Sequence, residues 1–168
     1  MKQRMFTFDM SKCVACGACS VACMDQNDID PAEEVPFRHI HRLERESGGH
    51  VHFMELSMAC MHCTDAPCVA ACPTGCLRKD EKTGLTVYDN SVCIGCHSCL
   101  MACPFEAPSF TAAGKMVKCD GCIERQRHGL LPACVRVCPF DALKMVDAET
   151  PEDNNWERTM ERLDEPEQ

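Results

Sequence analysis

Sixteen of the 17 cysteines in this chain fall into four groups of four. The first is Cys13, Cys16, Cys19 and Cys23; the third, Cys93, Cys96, Cys99 and Cys103, repeats its spacing and ends on Pro104. The second is Cys60, Cys63, Cys68 and Cys72, closed by Pro73, and the fourth is Cys119, Cys122, Cys134 and Cys138, closed by Pro139. Two residues between cysteines make a loop tight enough to present three thiolates to three irons of one cubane, with backbone N–H groups turned toward its sulfides. The fourth cysteine starts a helix that points away toward a neighbouring cluster, and the proline keeps the chain from continuing as helix.

Zinc is the main rival for paired thiolates. A tetrahedral zinc site, however, needs only two Cys-x2-Cys knuckles and leaves the third cysteine and the trailing Cys-Pro without a purpose. Disulfides fit worse, because the count is odd and the stretch Met1–Asp9 has charges but no apolar run of the kind an export signal carries. The Cys-x2-Cys-x2-Cys-x3-Cys-Pro run is the bacterial ferredoxin signature for paired [4Fe–4S] clusters, and four variants of it in one chain make the signal specific.

The groups sit in a repeated frame. Asp9, Ser11, Cys13 and Cys16 match Asp89, Ser91, Cys93 and Cys96 position for position, and Cys72-Pro73 through Arg78 lines up with Cys138-Pro139 through Lys144. Such self-similarity implies a duplicated unit. Groups two and three are close in sequence, joined by a hairpin with strands at Cys76–Lys79 and Leu85–Tyr88 and a turn at Asp80–Gly84. They are expected to form one ferredoxin-like unit, leaving groups one and four as the other, closed by a strand at Phe6–Phe8 beside a strand at Leu143–Val146. Paired groups exchange their fourth ligands. The expected ligand sets are therefore Cys13, Cys16, Cys19 and Cys138; Cys119, Cys122, Cys134 and Cys23; Cys60, Cys63, Cys68 and Cys103; and Cys93, Cys96, Cys99 and Cys72. The leftover Cys76 aligns with Ala142 and is expected to be a small buried packing residue.

The elements that position these loops have little apolar material to work with. Hydrophobic content is 45 % with the cysteines counted, and the chain has 7 Phe, 1 Tyr and 1 Trp. That is thin for a self-sufficient core, so bound clusters must supply much of the stability. The expected fold is α+β: two ferredoxin-like units, one nested within the other, built around four [4Fe–4S] clusters, with a C-terminal helical tail. Residues 1–59 and 105–146 form the outer unit, 60–104 the inner one and 147–168 the tail. A further hairpin is expected over 37–56, turning at Ser47-Gly48-Gly49. In the tail, Thr150-Pro151-Glu152-Asp153 resembles a helix start, with Trp156, Met160 and Leu163 on one stripe that docks on this chain or on a neighbouring subunit.

The formal net charge is −9, and most of it belongs to the residues from Asp147 onward. No basic patch interleaved with aromatics is present, which excludes a nucleic-acid binder. No run approaches the roughly 18 to 20 apolar residues of a membrane span. Four oxidised cubanes with their thiolates add about −8 more. Lys118, Arg125, Arg127 and Arg136 bracket the fourth group and would ease reduction there, although a solvated surface is their plainer reading. His62 and His97 lie inside the ligand loops and could tune a potential by a hydrogen bond to cluster sulfur, the plainer reading being exposed loop histidines.

Beyond the cysteines, further stretches carry a likeness: Asp25-Gln26-Asn27-Asp28, Cys103-Pro104-Phe105-Glu106-Ala107-Pro108, Lys118-Cys119-Asp120-Gly121-Cys122, Arg125, Gly129 and Pro132-Ala133-Cys134. From about residue 5 to 146 the sequence closely resembles the iron–sulfur subunits of molybdenum and tungsten oxidoreductases, the dimethyl sulfoxide reductase beta-subunit-like family. The resemblance implies a non-catalytic subunit that relays single electrons between a molybdenum- or tungsten-pterin catalytic subunit and a second redox partner, a flavoprotein or ferredoxin. All sixteen ligand positions are cysteine, which argues for four cubanes. The departures are Met24 in place of a proline after Cys23 and the lack of a long C-terminal extension, which points to a cytoplasmic protein or one exported with a signal-bearing partner. Self-stacking into a longer conductor is a further expectation. A freestanding polyferredoxin carrier is the alternative.

Overall fold

The structure, a computed structural model, describes residues 3–148. The helix expected beyond Thr150, with Trp156, lies outside the described residues. In chain order the elements are β1 (Gln3–Phe8), α1 (Ala18–Gln26), β2 (His39–Ser47), β3 (His50–Met58), α2 (Pro67–Ala70), β4 (Leu77–Lys79), β5 (Thr86–Tyr88), α3 (Ser98–Ala102), β6 (Ser109–Phe110), β7 (Met116–Val117), α4 (Ile123–Arg127), α5 (Ala133–Val137) and β8 (Leu143–Ala148). This is an α+β architecture of short pieces, and no helix among the described residues is long and apolar enough to cross a membrane.

The strands pair two by two, all antiparallel. β1 lies against β8, with Gln3 opposite Ala148 and Phe8 opposite Leu143, so the first described strand is closed by the last. β4 pairs with β5 and β6 with β7. The β2–β3 hairpin extends further than its alternation suggested, to Met58, and turns on Gly48 and Gly49 with φ of 60° and 78°. Two consecutive positive φ values are what a type I′ turn demands, and they match the right-handed twist of the strands it joins.

Local chemistry explains the repeated Asp-x-Ser. Asp9 and Asp89 each cap a single 3₁₀ turn, Met10–Lys12 and Asn90–Val92, their carboxylates accepting the backbone N–H of Ser11 at 3.1 Å and of Ser91 at 2.9 Å. Each turn delivers the chain into a cysteine loop. α1 packs on α5 and α2 on α3, so helices within groups one and four are partners, as are those within groups two and three; each fourth cysteine stands inside or just after its helix rather than starting one.

The apolar interior is divided among small clusters, and most of them are built on cysteines. Leu85, Val87 and Ile123 form the cluster that contains none. Leu85 is fully buried and supports the loop of group four. Leu85→Ala should therefore cost about 2 to 5 kcal/mol, visible as a lower urea midpoint when cluster absorbance and far-ultraviolet circular dichroism are followed together.

Candidate iron–sulfur centres

Each Cys-x2-Cys loop bends at the same place. The residue before the second cysteine is left-handed in all four: Ala15 at φ 51°, His62 at 50°, Gly95 at 67° and Gly121 at 76°. That bend turns successive N–H groups toward the concave side where the sulfurs gather. In the fourth loop, Gly121 N–H donates to Cys119 Sγ at 3.4 Å. A side chain at Gly121 would also crowd the buried Leu85, since a Cβ would stand 2.8 Å from Leu85 Cδ1.

Two of the Cys-Pro turns, those at Cys72 and Cys138, supply donors to the fourth cysteine of their groups. Burial raises the Cys72 thiol, but the N–H groups of Leu77, Thr74 and Cys76 outweigh it and hold the thiol below its ordinary value. Burial likewise acts against Cys138, and the N–H groups of Leu143, Phe140 and Ala142, at the same offsets, again prevail. Proline costs nothing at the position between, because its missing N–H is not one of the three.

Cys13, Cys16, Cys19 and Cys138 line one crevice, walled by Phe8, Ile40 and Leu143. Cys134 and Cys122 are electrostatic neighbours of Cys23, while Cys60, Cys134 and Cys23 are neighbours of Cys119. Cys60, Cys63 and Cys103 surround Cys68, and Cys72 and Cys96 stand near Cys99. Cys16 and Cys96 are exposed, whereas Cys93 and the remaining cysteines are buried or half-buried. Among the described residues no three His, Cys, Asp or Glu side chains converge closely enough to hold a single ion. An all-thiolate donor set spread in this way fits a multi-iron core, whose irons hold their ligands farther apart than one zinc does.

Such sulfurs are costly to ionise alone. Burial pushes the Cys23 thiol up to about 12 and Cys68 up to about 11, and drives Cys119 well above the usual range. Bound iron and buried cations must offset this cost. Arg38 is 3 % exposed, donates to the Ser57 carbonyl and hydroxyl at 3.1 Å each, and lies 5.1 Å over the Phe6 ring. Burial opposes its charge, but Cys134, Cys119, Cys19 and Cys23 together overcome that and hold it protonated. Lys79 donates to the Cys63 carbonyl at 2.6 Å, and Lys115 to the Cys93 carbonyl.

Sequence patterning missed Arg38, which looked like one more charge in an alternating hairpin arm. It singled out four other bases, of which the structure takes only Lys118 inside. Arg125 donates to the Leu131 carbonyl and to Gln26, Arg127 pairs with exposed Glu124, and Arg136 faces solvent. The plain reading of His62 as an exposed loop histidine is corrected: it is 1 % exposed. Its Nδ1 accepts the Thr86 N–H at 3.1 Å, and Nε2 stands 3.7 Å from Cys119 Sγ. Burial first, then Lys118, Lys79 and Arg38, push its pKa well below the ordinary imidazole value. His97 is exposed and stacks on Phe110 at 3.8 Å between centroids. Cys76 and Ala142 are both buried, as their alignment implied.

Comparison with known proteins places this arrangement. The 4Fe-4S dicluster domain family matches residues 51–148. The probable anaerobic dimethyl sulfoxide reductase chain YnfG of Escherichia coli K12 is 43 % identical over 148 residues, covering 83 % of the present sequence and 71 % of its own. The B subunit of the anaerobic dimethyl sulfoxide reductase of the same organism is 42 % identical, over 82 % of the present sequence and 70 % of its own. The thiosulfate reductase electron transfer subunit PhsB of Salmonella typhi is 38 % identical over 92 % and 81 %.

Removing a buried cation from among these sulfurs leaves their charge uncompensated. Arg38→Met should cost about 3 to 5 kcal/mol, whereas Arg136→Ala, at an exposed position, should stay within about 0.5 kcal/mol. Urea titration of the two variants side by side checks the contrast.

Proposed function

The protein belongs to the dimethyl sulfoxide reductase beta-subunit-like family of iron–sulfur electron-transfer subunits, and from that premise we propose that it relays single electrons between a molybdenum- or tungsten-pterin catalytic subunit and a second redox partner, a flavoprotein or ferredoxin. Its cofactors are four [4Fe–4S] clusters, each of which, when bound, accepts and releases one electron. Substrate chemistry belongs to the pterin subunit, and this chain is its non-catalytic conductor. Relatives named as parts of reductases do not favour a freestanding carrier.

In this reading Cys13, Cys16, Cys19 and Cys138 hold one cluster and Cys119, Cys122, Cys134 and Cys23 the next. Cys60, Cys63, Cys68 and Cys103 hold a third, and Cys93, Cys96, Cys99 and Cys72 the fourth. The single observation that carries the crossed assignment is the crevice in which Cys138 joins Cys13, Cys16 and Cys19, across most of the sequence. The proximity of Cys23 to Cys122 and Cys134, and of Cys68 to Cys103, supports it. Residues 60–104 then form an inner ferredoxin-like unit, nested within an outer one of 1–59 and 105–146.

Cys16 and Cys96 face solvent, with exposed Val14 and Ile94 beside them. The Cys13 and Cys93 sets are therefore the two that partners approach, and the more deeply buried Cys119 and Cys60 sets lie between. Apolar residues at both ends give a partner something to cover and keep water away from the short gap an electron must cross.

Crossed ligation has a direct spectroscopic test in the purified complex. About sixteen irons per polypeptide are expected. Cys13→Ser and Cys138→Ser should disturb the same paramagnetic signal, Cys23→Ser and Cys119→Ser a second one, and Cys76→Ser should leave the iron content unchanged. If Cys13→Ser and Cys23→Ser instead perturb a common signal, group one keeps its own fourth cysteine and the assignment is wrong.

A further inference from the structure

The loops of groups two and four touch each other's sulfurs. His62 belongs to the Cys60–Cys63 loop, yet its Nε2 faces Cys119 Sγ at 3.7 Å. Lys118 immediately precedes Cys119, yet its Nζ reaches Cys60 Sγ at 3.7 Å. Both contacts are fully buried, since His62 and Lys118 are each 1 % exposed.

One residue of β5 orients the two side chains. Thr86 N–H donates to His62 Nδ1 at 3.1 Å, and the Thr86 carbonyl accepts from Lys118 Nζ at 2.5 Å. Because Nδ1 is an acceptor, the proton of the neutral ring sits on Nε2, the nitrogen aimed at Cys119 sulfur. Lys118 has three N–H donors, and all three are placed: on Thr86 O, on Cys119 O at 2.7 Å and on Cys60 Sγ. The fixed backbone thus directs one neutral donor and one charged donor at the first cysteine of the opposite group.

The backbone at His62 gives a second, independent sign. Its φ of 50° is the left-handed position that the sister loops fill with Ala15, Gly95 and Gly121. A large side chain there is held against its backbone preference, which persists only where the surroundings fix it. Phe6 packs against the imidazole, with ring centroids 5.8 Å apart, and Gln3 Nε2 donates to the His62 carbonyl at 3.1 Å. The first strand of the outer unit therefore clamps the loop of the inner one.

We propose that His62 and Lys118 form a crossed pair of hydrogen bonds that sets the reduction potentials of the two central clusters and fixes the junction between the two units. This rests on the assignment of Cys60 and Cys119 to different clusters. Each bond withdraws electron density from a ligand sulfur and stabilises the added electron, raising that cluster's potential. His62 acts on the Cys119 cluster and Lys118 on the Cys60 cluster, so the two central potentials rise together and neither becomes a barrier in the relay.

The test is a redox titration of the purified complex followed by paramagnetic resonance, with iron counted in each sample. His62→Leu should move the midpoint of the cluster that Cys119→Ser disturbs to more negative potential. Lys118→Met should do the same to the cluster that Cys60→Ser disturbs, with the two end clusters unmoved. His62→Gln, which keeps an N–H donor at similar reach, should restore most of the first shift. In the unmutated complex carrying isotopically labelled histidine, the reduced Cys119 cluster should show a nitrogen coupling, a measurement independent of how any variant folds. Unshifted midpoints at normal iron content, an equal shift of all four clusters, or a missing coupling would overturn the proposal. The cysteine variants identify a different failure: if Cys60→Ser and Cys119→Ser disturb one signal, the ligand assignment falls, while the coupling still reports whether His62 bonds to cluster sulfur.

Discussion

The structure is organised around the cost of burying negatively charged sulfur. A thiolate in an apolar interior is strongly disfavoured, and burial, reinforced by neighbouring sulfurs, lifts Cys119 and Cys23 far above their ordinary range. The fold answers with three kinds of partner. Backbone N–H groups converge on Cys72 and Cys138 from the turns that follow them, buried cations stand among the sulfurs, and bound clusters supply the rest. Arg38 and Lys118 occupy interior positions that apolar side chains fill in most small domains.

The same constraint explains why the secondary structure is so sparse. Strands of two to nine residues and helices of four to nine suffice, because the cysteine loops, not the sheets, are what must be held. Helices tie groups together: α1 carries Cys19 and Cys23, and α5 carries Cys134 and leads into Cys138. The β1–β8 pair then closes the two ends of the described residues on each other. Stability and conduction depend on one set of contacts, so a change that loosens a loop is felt by both.

The left-handed bend common to the four loops shows how repetition and specialisation coexist. Backbone geometry is the same in all four copies, while the residue at the bend varies from glycine to alanine to histidine. Of these, His62 uses that place to send a side chain into a different loop. Lys118 differs from Lys12, which sits at the corresponding place before Cys13, in the same way: Lys12 is exposed and pairs with Asp9, whereas Lys118 is enclosed.

Cysteine spacing, the Cys-Pro endings and the internal repeat by themselves pointed to a duplicated ferredoxin-like iron–sulfur protein and led to the β1–β8 and β4–β5 pairings, while the kinship to the dimethyl sulfoxide reductase beta subunits came from a resemblance over further stretches. These features are local: a two-residue gap between thiolates or a proline after a cysteine has the same geometric meaning in any surroundings. What only the tertiary structure decided was which charges go inside. Arg38 carries no distinguishing pattern, since an arginine in an alternating strand reads as surface, and His62, though noticed for its place in a cysteine loop, reads more plainly as an exposed loop histidine than as the buried one it is. Arg125, Arg127 and Arg136, though close to the fourth cysteine group in sequence, turn outward. Burial of a charge depends on whether several distant sulfurs surround it at once, and that is settled only when loops far apart in the sequence are brought together.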